Sequence, residues 1–363
     1  MRPGGPDAGP PPVTTAHDGT RRHTTAHQGA AMAQVMTVLG PVDAADLGRT
    51  LVHEHIVITW PGEELERTAR WTRADVVARA TDKLAELRDG GFRTFVDPCP
   101  IELGRDPELY AEVSQASGMH VVCATGFYTQ HEGWGLPFYW RARDPEEIAE
   151  HYAAELTEGI AGTGGIRAGV IKAATGAEVS DAERRVLTGA ALAQRATDVA
   201  IITHTEHSRY GDTQQDIFAE HGADLGRVLI GHQDEQTDVA PIRALAAQGT
   251  FVGIDRVGLE IIAPDERRAD HVAALVHEGF TGQVCLSQDH ICVTTAPRPA
   301  YWVPPEYRAA AAARRADIEW QTSDRPYTYI TTGFAPMLTA RGVTEADLET
   351  IFVDNPRRLL AGV

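Results

Sequence analysis

Short apolar runs, almost uninterrupted and rich in β-branched residues, alternate with helix-like stretches from Met36 onwards. Solidly apolar strands of this kind are typical of a parallel sheet that helices cover. The eight runs occupy residues 50–58, 94–97, 119–124, 168–174, 199–204, 228–232, 251–256 and 284–290. Eight such units predict an α/β fold of the (β/α)8 or TIM-barrel type. An open doubly wound sheet is the alternative, but no glycine-rich dinucleotide-binding motif follows any run.

Helix boundaries are marked by capping residues. Thr72 with Asp75, and Ser180 with Glu183, form capping-box patterns at helix N-termini. Asn355-Pro356 is typical of the start of a short closing helix. We expect helices near residues 72–87, 145–159, 180–195, 213–221, 239–248, 265–278, 326–341 and 344–361.

The first 35 residues differ in composition from the rest of the chain. They are rich in Pro, Gly, Thr and His and show no hydrophobic periodicity. They also lack the apolar core of a secretory signal. We therefore expect residues 1–35 to be a disordered N-terminal extension and residues 36–363 to be a single barrel domain.

Overall charge narrows the class of partner. The net charge is -18, from 51 acidic and 33 basic residues, which argues against nucleic acid or an anionic membrane as partner. No apolar stretch approaches the about 18 residues of a membrane span. The four cysteines form no CxxC pair, so we expect buried free thiols, a reducing compartment and a cytoplasmic location.

Polar residues capable of binding metal lie at or near the ends of five of the predicted strands. In a strand, alternate side chains share a face, so His53 and His55 are expected to point the same way. The full set is His53, His55, Lys172, His204, His232 and Asp289. In a (β/α)8 barrel, the C-terminal ends of the strands meet at the catalytic face. Imidazole with carboxylate suits Zn²⁺, with Mn²⁺, Co²⁺ or Fe²⁺ as alternatives.

Lys172 is unusual in this set because it lies within an apolar run. An ammonium near two divalent cations would be repelled, so the side chain must be neutral or modified. Reaction with CO₂ would give N6-carboxylysine, an anion whose two oxygens can bridge two metals. A Schiff-base lysine is the alternative, but it leaves four histidines unexplained.

The local sequences around these residues resemble the phosphotriesterase family of the amidohydrolase superfamily. The matching segments are Val-His-Glu-His at 52–55, Gly-Val-Ile-Lys at 169–172, Thr-His-Thr at 203–205, Ile-Gly-His at 230–232 and Ser-Gln-Asp at 287–289. The resemblance extends from about residue 38 to the C-terminus. It implies that His53, His55 and Asp289 hold one metal. It implies that His204 and His232 hold the other, with carboxylated Lys172 and a hydroxide as bridges.

Other segments are similar to the phosphotriesterase-like lactonases within that family. They are Thr-Gly-Phe-Tyr at 125–128, Gly-Ile-Asp-Arg-Val-Gly at 253–258, Leu-Gly-Arg-Asp at 103–106 and residues 133–139. We expect Tyr128 and Arg256 to orient the substrate. The alternatives are a structural hydrogen bond at the barrel mouth for Tyr128 and a salt bridge to a neighbouring carboxylate for Arg256. Val257 replaces the tyrosine of those lactonases, which puts the choice of acyl chain in doubt. Residues 294–314, with Tyr301, Trp302 and Tyr307, are predicted to form part of a substrate lid.

The sequence therefore predicts a binuclear metal-dependent hydrolase of small molecules. A metal-bridging hydroxide would attack a lactone or ester carbonyl, Asp289 would accept its proton, and organophosphates would be side substrates. The alternatives are a dedicated phosphotriesterase or an amide or imine hydrolase. A non-catalytic binding protein is a further alternative, but it has no need of six converging groups. The resemblance also implies a homodimer. Asp234 and Glu235 would orient imidazoles or be solvated loop charges.

Overall fold

Parallel strands form the centre of the fold, which is a computed structural model describing residues 33–60, 62–63, 71–130, 135–295 and 308–363. The strands are β1 Gln34–Thr37, β2 Gly40–Asp43, β3 Arg49–Leu51, β4 His55–Ile58, β5 Phe92–Asp97, β6 His120–Gly126, β7 Val170–Thr175, β8 Ile201–Thr205, β9 Val228–Ile230, β10 Phe251–Ile254, β11 Val284–Leu286 and β12 Ile291–Thr294. Eight of them form one sheet in the order β11-β10-β9-β8-β7-β6-β5-β3, paired in parallel throughout.

Helices follow the strands in the order expected of βα units. They are α1 Arg73–Asp89, α2 Pro107–Ser117, α3 Pro145–Thr157, α4 Asp181–Thr197, α5 Gly211–Glu220, α6 Ala240–Ala247, α7 Asp265–His277, α8 Arg308–Ala313, α9 Arg315–Glu319, α10 Ala335–Thr339, α11 Glu345–Glu349 and α12 Asn355–Ala361. The predicted (β/α)8 barrel is confirmed. A small antiparallel hairpin of β1 and β2 precedes it.

The first predicted strand is broken in two, and the eighth ends at Leu286 and is followed by a further strand from Ile291, which the sequence did not predict. The two later strands, β4 and β12, pair with each other in parallel, with His55 opposite Ile291. The break after β3 has a physical cause: the Ser287 hydroxyl oxygen accepts hydrogen bonds from the backbone N–H groups of Val52 and His53. These bonds and the β4–β12 pairing bring the two ends of the sheet together.

Successive side chains of each strand point to opposite faces of the sheet, so they belong alternately to two apolar layers. Ile171 and Ile201 belong to the large cluster that packs against the helices, whereas Val170 and Ile202 belong to a smaller inner cluster with residues of the neighbouring strands. The alternation therefore directs Lys172, two residues after Val170, towards the barrel axis.

Both predicted capping boxes are present, at Thr72 before α1 and at Ser180 before α4. Helix α2 was missed by the sequence reasoning, although Asp106 accepts a hydrogen bond from the Leu109 N–H at its start. The two long C-terminal helices are each divided by wider π-type turns, at Ile330–Phe334 and Thr350–Asp354. A third such turn, Trp320–Asp324, follows α9.

The N-terminal boundary and the cysteines also bear on the sequence expectations. Val35 is buried and pairs with Val42, so ordered structure starts within the last residues of the predicted extension. Residues 1–32 lie outside the described part of the chain.

All four cysteines are free and buried, as expected. Within the described ranges, no helix combines the length and apolarity that a bilayer crossing requires.

Candidate metal centre and active site

All six residues that the sequence singled out as metal ligands come together at one site, three from within strands and three from the turns that follow strands. His55, Lys172 and His204 belong to β4, β7 and β8. His53, His232 and Asp289 lie in the turns that follow β3, β9 and β11. The backbone φ angles of His232 and Asp289 are 58° and 47°, a left-handed conformation that turns both side chains back towards the barrel mouth.

One group of three donors forms a compact cluster. A ring nitrogen of His53, one of His55 and a carboxylate oxygen of Asp289 all lie within 4.8 Å of one another. His55 Nε2 is 3.3 Å from Asp289 Oδ1, and His53 Nε2 is 4.0 Å from the same oxygen. The Lys172 Nζ is 3.1 Å from His53 Nε2, so the amine borders this cluster.

The remaining two histidines lie beside this cluster. The ring of His232 is 4.6 Å, between centroids, from the ring of His53 and also from the ring of His204. The three rings therefore form a continuous row, and the predicted second pair of ligands adjoins the first group.

A single buried carboxylate orients two of the imidazoles. Asp255 accepts hydrogen bonds from His53 Nδ1 at 3.1 Å and from His232 Nδ1 at 2.8 Å. Because each Nδ1 is held in this way, each Nε2 is directed away from Asp255 towards the centre of the site. Asp255 is fully buried, and the two imidazoles hold the pKa of its carboxyl well below the usual range despite the opposing effect of burial.

The other two imidazoles have carboxylate partners of their own. Asp97 Oδ1 is 3.1 Å from His55 Nδ1, and Glu206 Oε2 is 2.9 Å from His204 Nε2. His55 therefore presents Nε2 to the site, whereas His204 presents Nδ1. Each of the four imidazoles thus has one ring nitrogen fixed by a carboxylate, an arrangement common around metal-binding histidines.

The protonation states suit a cation at His53, His232 and Asp289. Burial is the main cause that lowers the pKa of His53 to about 4 and that of His232 well below its usual value. Although burial acts in the opposite direction, His232, His55 and Arg256 hold the pKa of Asp289 well below its usual value. Two neutral imidazoles and an ionised carboxylate are the forms that bind a divalent metal.

His55 differs from the other imidazoles. Burial acts to lower its pKa, but hydrogen bonds to Asp289 and Asp97 raise the pKa well above the usual value. A cation that binds His55 must therefore displace a proton, which makes binding weaker as the pH falls.

Lys172 is buried, and this desolvation lowers the pKa of its amine to about 8. A neutral amine is the form that reacts with CO₂, so the environment fits the predicted modification. Lys83, the only other lysine in the sequence, is also buried; its Nζ lies 3.1 Å from His290 Nε2 and from the Arg325 carbonyl oxygen. Every other basic residue, histidines aside, is an arginine.

Arg256 and Tyr128, the two candidates for orienting substrate, both lie beside this cluster. Arg256 Nε donates to Asp289 Oδ2 at 3.0 Å, and its Nη1 is 3.4 Å from Glu235 Oε1. The Tyr128 ring packs edge-on against His204 at 5.1 Å between centroids. Arg256 therefore forms a salt bridge with a neighbouring carboxylate, and Tyr128 borders the row of imidazoles.

Sequence reasoning missed the carboxylates that hold the imidazoles. Asp97 is the last residue of β5 and Asp255 directly follows β10, and that position is the signal that would have found them. Asp234 orients no imidazole; its carboxylate instead accepts the backbone N–H groups of Asp255 and Arg256. Glu235 contacts Arg256 and the exposed His207.

Two predicted substrate segments lie wholly or partly outside the described residues. Of the predicted lid, residues 296–307 are not described, and these include Tyr301, Trp302 and Tyr307. Of the lactonase-like segment 133–139, residues 133 and 134 are likewise outside the described part of the chain. Val257, the departure from the lactonase pattern, is fully buried within the large core cluster.

The donor set fits divalent metal ions. Imidazole nitrogens, an ionised carboxylate and a buried lysine converge at one point, and a site of this composition suits a borderline-soft cation. A parallel barrel whose chemistry lies at the carboxyl ends of its strands defines the class of (β/α)8-barrel enzymes.

Comparison with known proteins then identifies the family. Residues 33–360 match the Phosphotriesterase family. A phosphotriesterase homology protein of Mycobacterium tuberculosis is 36% identical, over 90% of this chain and 98% of that protein. An aryldialkylphosphatase of Saccharolobus solfataricus is 31% identical, over 88% of this chain and 97% of that protein. The chain belongs to the phosphotriesterase family, as the sequence segments suggested, and is a hydrolase of that family.

A solved structure agrees with the fold. A mutant of a PTE-like lactonase from Deinococcus radiodurans superposes with a TM-score of 0.79 at 36% identity, covering 90% of this chain and 99% of that chain. The barrel architecture is therefore shared over nearly the whole of both chains.

Proposed function

We propose that this protein is a metal-dependent hydrolase that opens lactones by attack of water on the ring ester carbonyl. The observation that carries the proposal is the convergence of His53, His55 and Asp289 within 4.8 Å, with Lys172 beside them. Four imidazoles, each fixed by a carboxylate, complete a site that a purely structural barrel would not require.

Two divalent cations, most simply Zn²⁺, would be held by these side chains. His53, His55 and Asp289 would hold one, and His204 and His232 the other, with Lys172 bridging as N6-carboxylysine. When bound, the ions would supply Lewis-acid polarisation of the carbonyl and would lower the pKa of a water molecule.

The protein's own residues would manage the proton and the orientation of the substrate. Asp289 is ionised, so its carboxylate would accept the proton of the attacking water and pass it to the leaving alkoxide. Arg256 Nε donates to Asp289 Oδ2 and keeps that carboxylate in place. The Tyr128 side chain, next to His204, would position the ring ester.

A ring ester suits this site because its leaving alkoxide remains tethered to the acyl group. The proton therefore travels only between Asp289 and an oxygen that stays near Arg256. A relative of 36% identity is titled a PTE-like lactonase, which supports the same substrate class. A dedicated phosphotriesterase is the second candidate, supported by a relative named aryldialkylphosphatase.

Steady-state kinetics on matched lactone and phosphotriester substrates would decide between them. We expect kcat/KM for the lactone to be at least ~100-fold higher, equivalent to about 2.7 kcal/mol of transition-state stabilisation. A ratio near one, or in favour of the phosphotriester, would assign the function to the second candidate.

Elemental analysis tests the metal site separately from the substrate. We expect about two divalent metals per chain after reconstitution with bicarbonate. His232→Asn should lose metal, whereas His277→Asn, the same change at an exposed position of α7, should retain both ions. One ion or none in the unmodified protein would contradict a binuclear centre.

We also propose that the protein is a homodimer, which sedimentation velocity would test.

A further inference from the structure

The loop between β10 and α7 (residues 255–264) begins with two groups of the site, Asp255 and Arg256. We propose that Arg268, a buried residue of α7, is a positioning residue that fixes this loop and thereby the imidazoles of His53 and His232. The proposal rests on the proposed function of the site, and it assigns Arg268 no contact with substrate or metal.

Arg268 is wholly buried and uses all three nitrogens of its guanidinium. Its Nε donates to Asp234 Oδ1 at 2.8 Å and its Nη1 to Asp265 Oδ1 at 2.7 Å. The same side chain donates to the carbonyl oxygens of Leu259, at 3.1 Å, and of Ala263, at 2.5 Å. One cation is thus bonded to two carboxylates and to two backbone groups of the loop.

The two carboxylates also hold the backbone of the first part of the loop. Asp234 accepts the N–H of Asp255 at 3.2 Å and the N–H of Arg256 at 3.1 Å. Asp265 Oδ1 accepts the N–H of Gly258 at 2.8 Å. Asp234 therefore stands between Arg268 and the backbone that carries the site residues.

The chemistry of a buried ion pair explains why this contact matters. Removing one partner of such a pair leaves an uncompensated buried charge and is strongly destabilising locally. Without Arg268, the carboxylates of Asp234 and Asp265 would lie buried and close together. The loop would then have to move to hydrate them, and Asp255 would move with it.

A shift of Asp255 would release two imidazoles at once, because the same carboxylate accepts both Nδ1–H groups. Arg256 would lose its backbone anchor and its bond to Asp289. The expected consequence is a loss of turnover, with little change in how the outer part of the site binds substrate.

The test compares Arg268→Met with Arg227→Met in the full-length protein. Arg227 is a matched control because it is also buried and bonds the carbonyl oxygens of Leu359 and Leu360, but it precedes β9, at the opposite ends of the strands. Both variants should have a lower melting temperature. The first readout is the set of downfield imidazole N–H resonances, which needs neither substrate nor metal.

We expect Arg268→Met to lose the N–H resonances of His53 and His232, and Arg227→Met to keep them. On the lactone substrate, kcat of Arg268→Met should fall at least about tenfold with KM within about threefold, whereas Arg227→Met should keep both constants. If Arg268→Met keeps the resonances and kcat while it melts early, Arg268 is only structural. If lactones are not substrates, the imidazole resonances alone still test whether Arg268 positions the imidazoles of His53 and His232.

Arg268→Lys provides a second variant that keeps one positive charge. An ammonium is a point charge and does not reproduce the planar fork of a guanidinium, so it cannot hold Asp234, Asp265 and two carbonyls together. We expect a folded protein whose kcat lies between those of the wild type and Arg268→Met. A lysine variant that equals the wild type in kcat and in the imidazole resonances would overturn the proposal.

Discussion

The environment of Lys172 determines what its amine can do. The side chain is fully enclosed, lies 3.1 Å from an imidazole and has a pKa of about 8. At pH 7 roughly a tenth of the amine is therefore uncharged, far more than for a surface lysine. The uncharged amine is the form that reacts with CO₂, which is the modification proposed for this residue.

Lys172→Ala is expected to remove the bridge between the two predicted metal sites. We expect most of the activity and at least one metal ion to be lost, because His53, His55 and Asp289 alone supply only one complete donor group. Short carboxylates such as acetate or propionate should restore part of the rate by occupying the vacated space. Full activity and full metal content in the alanine variant would contradict this role.

Glu102, a buried acid beside Tyr128, gives a prediction about how stability depends on pH. Burial raises the pKa of Glu102 to about 8 from an ordinary 4.5, and its Oε1 accepts the backbone N–H of Tyr128. Between these two values the folded chain binds more protons than the unfolded chain at this residue. The contribution of Glu102 to stability therefore falls as the pH rises through this window.

Glu102→Gln removes that titration while keeping the size of the side chain. As the pH rises from 5 to 8, we expect the free energy of unfolding of the variant to increase relative to that of the wild type. Urea unfolding at pH 5 and at pH 8 measures this difference. Glu108→Gln, the same change at an exposed position of α2, should show no such trend. A difference that is independent of pH at residue 102 would refute the burial argument.

At the scale of the elements, buried carboxylates hold successive strand ends together. Asp97 accepts the N–H groups of Ile56 and Cys99, and Glu54 accepts those of Gln288 and His290 on either side of Asp289. Asp234 does the same for the strand that carries Asp255. His53 and Asp289 therefore occupy turns whose backbones are fixed by side chains from neighbouring strands.

Close packing of β6 against β7 gives a prediction at this scale. Gly126 has φ 119°, and a Cβ at this position would lie 2.0 Å from the carbonyl oxygen of Lys172. Gly126→Ala should therefore cost roughly 3 kcal/mol of stability, from backbone strain plus overpacking. It should also move Lys172 and reduce metal binding.

Gly249→Ala is the matched control for this prediction. Gly249 has φ 102°, but no atom lies within 4 Å of the added Cβ. Only the strain remains, about 1 kcal/mol, and metal content should not change. Equal losses of stability in the two variants, measured by urea unfolding, would show that the contact with Lys172 is unimportant.

Element types followed from local pattern, whereas the strand breaks did not. Capping boxes at Thr72 and Ser180 and solidly apolar strands are local features, and the barrel follows from their alternation. The breaks at His53 and Asp289 depend on bonds made by Ser287 and Glu54 to strands distant in sequence. No local pattern contains that information.

The candidate site, like the fold, could be predicted only in part from local sequence pattern. The positions of the histidines, Lys172 and Asp289 at strand ends were enough to bring them together in the prediction, because parallel strands end at one face. Which carboxylate meets which imidazole depends on how neighbouring strands are offset. Asp255 was therefore noted in a strand, but its two imidazole partners were not predicted.

For the whole molecule, the compact unit starts at Ala33. Deleting residues 1–32 should leave the melting temperature unchanged within about 2 °C and activity intact. Deleting residues 1–37 also removes β1, whose Val35 is buried, and should lower the melting temperature measurably. A large loss of stability from the shorter deletion would show that residues 1–32 contribute to the fold.

Because Lys83 and Lys172 are both enclosed, the folded protein offers amine-directed reagents no lysine at its surface. Succinimidyl esters should label the main-chain amino terminus and little else. Amine-to-amine cross-linkers would therefore give a falsely monomeric result even if the chain is a dimer, and carboxylate-directed cross-linkers are the appropriate choice. The same property makes the amino terminus a single attachment point for oriented immobilisation that leaves Lys172 untouched.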